Sequence, residues 1–237
     1  MKIKILFENK KTNNSLFLGW GVSYLIEDTI LFDTGEKSDF LFHNMSVMGV
    51  AIDNIKTVVI SHEHFDHTGG LWKILRNNPE LDLYICQDSS WEFKNKVRSY
   101  GCNVVEVGAS FIPISDYTYT TGQMEMMHGF GRIVEQSLVL DTPKGLTILT
   151  GCAHPGIINI VKQIKENIKK DIHLVMGGFH LLDEPVRKIK KVNHTLRELG
   201  VQNVGPSHCT GEDAIEIFKE SYRENFIDIK AGKTIEV

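Results

Sequence analysis

The sequence predicts an α/β protein, a four-layer α/β/β/α sandwich in one domain over residues 1–237. Three observations point there. In each half of the chain strands come first and helices follow them. Ile172–Met176 is nearly all apolar, as expected of a strand covered on both faces. Ile157–Lys169 places apolar residues at Ile157, Ile158, Ile160, Val161, Ile164 and Ile168, the stripe of a helix that packs on a sheet. Two mixed sheets packed face to face, with helices outside, bury all of these faces.

The elements follow in order. Lys2–Phe7 alternates like an edge strand, and Val22–Glu27 and Thr29–Asp33 read as two more strands. Ser38–Val47 is mostly helical. The apolar run Thr57–Ile60 is a buried strand, and a helix covers Leu71–Asn77. Strand Leu81–Cys86, helix Ser90–Ser99 and strand Asn103–Val107 come next. Residues 108–131 are irregular, with strand character at Tyr117–Thr120. Strands Ser137–Asp141 and Leu146–Thr150 form a hairpin around Thr142-Pro143-Lys144-Gly145, a turn composition. After helix Ile157–Lys169 and strand Ile172–Met176 come helix Glu184–Leu199, strand Val201–Gly205 and helix Glu212–Ser221.

Composition narrows the function. A net charge of −4, with no basic run longer than Lys188–Lys191, argues against wholesale neutralisation of nucleic-acid phosphates. The apolar start is too short and too charged for a signal segment, and no apolar run approaches a bilayer span. Cys86, Cys102, Cys152 and Cys209 match neither a disulfide framework nor a paired-cysteine zinc module, so free thiols in a reducing cytosol are expected. A cytoplasmic, soluble protein follows. Its oligomeric state is not encoded legibly.

The chemistry is concentrated in His62-Glu63-His64-Phe65-Asp66-His67. In an extended segment His62 and His64 project to the same side. Asp66 and His67 follow at a turn before Thr68-Gly69-Gly70. Such a set holds one cation and begins to hold a second, and imidazole with carboxylate suits zinc first, with iron or manganese as alternatives. Three later strand ends each carry a histidine among small residues: His154 in Thr150–Gly156, His180 after Gly177-Gly178-Phe179, and His208 in Gly205–Gly211. Ligand crevices form at such positions in α/β sheets. Asp33 is read as a carboxylate that orients ligand histidines, or as a turn cap. His43 and His194 read as surface or half-buried residues, His173 as a packing residue, and His128 stays open. Phe111, Tyr117, Tyr119 and Phe130 pack the core or line a planar ligand.

In this order the residues resemble the metallo-β-lactamase superfamily: Asp33-Thr34-Gly35, the segment His62–His67, Thr150-Gly151-Cys152-Ala153-His154, and His208. The later motifs are similar to a narrower group named for dihydropterin ribofuranosylaminobenzene phosphate synthases. The resemblance implies one or two divalent metals. His62, His64 and His154 would hold one ion, and Asp66, His67 and His208 the other. Cys152 stands where relatives usually carry a bridging aspartate. The resemblance further implies a hydrolase or transferase acting on a small, phosphorylated or pterin-like molecule through a metal-activated water held by Asp66, with His180 as a general acid or phosphate contact. The alternatives are a non-catalytic metal-dependent binding or sensing module and a nuclease of the same fold.

Overall fold

The structure, a computed structural model, describes residues 1–128 and 131–237. The chain divides into two compact units: Met1–Gly108 with Lys230–Glu236, and Ala109–Ile229 with Val237.

The first unit is built on β1 (Lys2–Phe7), β2 (Ser23–Ile26), β3 (Ile30–Phe32), β4 (Thr57–Val59), β5 (Asp82–Cys86) and β6 (Asn103–Val107). With the C-terminal strand Thr234–Glu236 they form a sheet of seven strands among the described residues, ordered C-terminal strand–β1–β2–β3–β4–β5–β6. β3, β4, β5 and β6 run parallel. Helices α1 (Ser38–Val47), α2 (Phe65–Thr68), α3 (Leu71–Asn77) and α4 (Trp91–Arg98) follow the strands they are threaded between. α1 contributes Leu41 and Met45, α3 contributes Leu71, Ile74 and Leu75, and α4 contributes Phe93 and Val97. They join Leu31, Val58, Leu83 and Ile85 of the strands in one core. Each such side chain, fully buried, contributes about 1.5–3 kcal/mol.

The second unit carries β7 (Ile112–Ser115), β8 (Thr118–Thr120), β9 (Met124–His128), β10 (Gly131–Glu135), β11 (Leu138–Thr142), β12 (Gly145–Thr150), β13 (Ile172–Gly178) and β14 (Asn203–Ser207). Its sheet is ordered β14–β13–β12–β11–β8–β7, and β9 and β10 form a separate hairpin. β12, β13 and β14 are parallel, with Thr150 beside Gly177 and Gly177 beside Pro206, so their C-terminal ends lie together. Helices α5 (Ile157–Asn167), α6 (Val186–Glu198) and α7 (Glu212–Tyr222) bury Ile157, Ile160, Ile164, Ile189, Leu196 and Phe218 against Ile148, Val175 and Val204. Among the described residues no helix is long and apolar enough to cross a membrane.

Three expectations need correction. β1 is no edge strand: it pairs on one side with β2 and on the other with residues 234–236, a short strand with little signal of its own. Within the stretch 108–131 expected to be irregular, Met124–His128 is a strand, β9, paired antiparallel with β10 (Gly131–Glu135), so His128 lies in a strand. The strand expected at Val201–Gly205 is Asn203–Ser207 and runs through Pro206. Proline, lacking an N–H, is tolerated there because β14 is the edge of its sheet.

Candidate metal centre

In the first unit the histidine segment leaves β4 and is tied to the end of β3. Asp33, at φ +56°, directs its carboxylate across to that segment. Its Oδ1 accepts the Ser61 backbone N–H at 2.7 Å, and Oδ2 accepts the Ser61 hydroxyl at 2.7 Å. Oδ2 also lies 2.7 Å from His67 Nδ1. Since the Ser61 proton points at Asp33, the contact of 2.9 Å between Ser61 Oγ and His62 Nδ1 places a proton on His62 Nδ1. One buried carboxylate therefore sets both His62 and His67 as Nδ1–H tautomers and leaves their Nε2 lone pairs for a cation.

The donor atoms gather in pairs. His62 Nε2 is 3.0 Å from His64 Nδ1, and His67 Nε2 is 3.4 Å from Asp66 Oδ2. Ligands bound at roughly 2.0–2.2 Å around one cation sit about 3–3.5 Å apart. The spacing thus fits coordination. Backbone contacts hold the segment in place. Thr34 donates to the His67 carbonyl through both N–H and hydroxyl, at 2.9 and 2.8 Å. A Cβ on Gly21 would stand 1.8 Å from the Asp66 carbonyl oxygen, so only glycine admits this approach.

The protons of this cluster are strongly biased. Burial alone would depress His67, but the Asp33 charge and hydrogen bond push it up to about 10. Burial likewise raises Asp33, which conflicts with its role as the charged partner. We favour the ionised carboxylate, because it accepts three donors and the neutral acid would waste them.

In the second unit the parallel strand ends deliver Cys152 and His154 after β12, His180 after β13, and His208 and Cys209 after β14. The organiser here is Glu135, at the end of β10 and buried. Its Oε1 accepts the N–H groups of Cys152 and Ala153 at 2.9 and 2.8 Å. Its Oε2 accepts the His154 N–H at 2.8 Å and faces His154 Nδ1 at 2.9 Å. His154 is thereby set as the Nδ1–H tautomer with Nε2 outward, repeating the relation between Asp33 and His67. Sequence reasoning missed Glu135. Its one signal was an acidic residue followed by Gln136 and Ser137 directly before an apolar strand.

Cys152 Sγ lies 3.4 Å from His208 Nε2, so the thiol occupies the position expected of a further ligand. His180 is exposed, and its ring centroid is 4.6 Å from that of His154. A hydrogen bond with Cys209 raises its pKa. Burial would push the Cys209 thiol up, but hydrogen bonds with Cys152 and His180 and the nearby His208 and His180 rings bring it well below the ordinary range. His43, His194 and His173 take no part. His43 Nε2 meets the Ser15 carbonyl at 2.7 Å, His194 pairs with Glu198 on the surface of α6, and His173 lies beside Asn203. Of the aromatic residues, Phe111 packs against the core, Tyr117 is exposed and the Tyr119 hydroxyl meets the Asp116 carbonyl. Phe130 lies outside the described residues.

Comparison with known proteins bears on this geometry. The metallo-beta-lactamase superfamily profile matches residues 19–84, which include Asp33 and the histidine segment. A Methanocaldococcus jannaschii protein, 7,8-dihydropterin-6-methyl-4-(beta-D-ribofuranosyl)-aminobenzene-5'-phosphate synthase, is 31% identical, with 99% of this chain and 96% of the relative covered. The chain belongs to the metallo-β-lactamase superfamily. The crystal structure of Tm1679, a metal-dependent hydrolase of the beta-lactamase superfamily, matches with a TM-score of 0.84 at 31% identity, covering 100% of this chain and 99% of that one. The metallo-beta-lactamase fold protein YhfI from Bacillus subtilis shares the fold, with a TM-score of 0.70 at 12% identity and 99% of each chain covered. The fold is thus the metallo-β-lactamase type read from the sequence. Superfamily membership implies a divalent metal, and the imidazole, carboxylate and thiol donors described above suit one.

Proposed function

We propose that the protein is a metal-dependent hydrolase or transferase acting on a small, phosphorylated or pterin-like substrate. His62, His64 and His154 hold one ion, and Asp66, His67 and His208 hold a second, zinc in both places. Both units act as one catalytic domain, in the cytoplasm, where the four free thiols stay reduced. The observation that carries this reading is the repeated pairing of a buried carboxylate with a histidine Nδ1, Asp33 with His67 and Glu135 with His154. Packing alone has no need to fix two histidine tautomers this way, whereas ligands to a metal do. The pterin-like class comes from the full-length similarity to the synthase.

A divalent cation supplies Lewis acidity and brings the pKa of water toward neutrality. The protein's own groups do the rest. Asp33 and Glu135 hold the imidazoles as Nδ1–H tautomers and leave the Nε2 lone pairs for the ions. Asp66 orients the attacking water through its carboxylate. His180, exposed and with its pKa raised, donates a hydrogen bond to the phosphate or leaving group of the substrate.

The test is direct. The purified protein is assayed for bound metal and for turnover of pterin precursors, phosphodiesters, lactones and thioesters. Turnover that is lost on chelation and restored by zinc supports the enzyme. Tightly bound metal with no turnover of any class supports a binding or sensing module instead.

A further inference from the structure

Cys152, His180 and Cys209 come from three different loops, after β12, β13 and β14. Yet Cys152 Sγ, a His180 ring nitrogen and Cys209 Sγ all lie within 4.8 Å of one another. We propose that these residues form a thiophilic metal site of their own, taking zinc or a softer divalent cation. Two thiolates neutralise such an ion, and an imidazole with two thiolates is a recurrent donor set for it.

Two features of the backbone show that the cluster is built. Gly178 does not adopt the left-handed conformation that would by itself demand glycine. A Cβ there would instead stand 2.3 Å from the Gly151 carbonyl oxygen, 2.6 Å from Cys209 Sγ and 3.1 Å from Cys152 Cα. Glycine at 178 makes room for the Gly151 carbonyl and for the Cys209 thiol together. His180 lies at φ +52°, a conformation costly for a residue with a Cβ. Such strain persists where the surroundings impose it, often at ligand sites. The two sulfurs are buried while His180 is exposed, so solvent reaches the cluster at the His180 side. The ring nitrogen that does not ligate stays free to contact substrate.

The site stands whether or not the histidine and carboxylate sets catalyse. Cys152 also neighbours His208, so Cys209 and His180 are the diagnostic residues. The reduced, full-length protein is titrated with cobalt(II), and its absorption and metal content are compared with those of Cys209→Ser and His180→Ala. The expected result is a thiolate-to-cobalt charge-transfer band in the near ultraviolet, reduced to about half in Cys209→Ser, which should also bind about one fewer ion per chain. His180→Ala should keep both thiolates but shift the visible ligand-field bands. His180 is exposed, so this variant still tests the site even if Cys209→Ser fails to fold. The proposal is overturned if both variants keep the wild-type spectrum and metal content, or if the wild type has no thiolate band.

Discussion

Asp33 accepts three donors inside a protein core, and each fixes something the cation would use. Asn in its place presents an amide to at least one of those donors. The Asp33→Asn variant should lose about 10–100-fold in zinc affinity, measured by competition with a chromophoric chelator. The raised pKa of His67 has its own consequence. Its proton stabilises the metal-free fold fully below pH about 6.5, and this contribution is lost as pH rises through about 10. A cation must displace that proton, so zinc affinity should keep rising with pH across the same window. Calorimetry in buffers of different ionisation enthalpy should record proton release at pH about 8. Much of this was legible in the sequence, because His62, His64, Asp66 and His67 are contiguous and their spacing carries the chemistry. Glu135 was not, because its partners lie at residues 152–154 and only the placement of β10 brings them together.

At the scale of elements, the loop after β4 works because backbone passes very close to backbone. A Cβ on Gly69 would sit 2.0 Å from the Glu36 carbonyl oxygen, although Gly69 itself has ordinary helical angles. The Gly69→Ala variant should therefore be destabilised by about 1–3 kcal/mol through overpacking, read from denaturant midpoints, and should bind zinc more weakly. β13 was readable because it is nearly all apolar, and the helices because their stripes are regular. The β9–β10 hairpin was hidden by methionines at 124, 126 and 127, which are ambiguous between core filler and strand. The bounds of β14 were not legible because a proline ordinarily argues against a strand, and its edge position is a fact of the sheet order.

For the whole molecule, a bound metal is part of stability. A cation that binds only the folded chain at about 100 times its dissociation constant adds about 2.7 kcal/mol. Chelation should therefore lower the melting temperature, and zinc should restore it, in a scan under reducing conditions. The two-sheet α/β class was legible from the order of strands and helices, whereas the division into two compact units has no linker in the sequence to announce it. The central claim is that histidines distant in sequence hold common cations. Anomalous diffraction at the zinc edge, on crystals grown with zinc, tests it most directly. The expected result is one peak ligated by His62, His64 and His154, and another by Asp66, His67 and His208. Peaks ligated by only one of these segments, with His154 and His208 outside coordination distance, would contradict it.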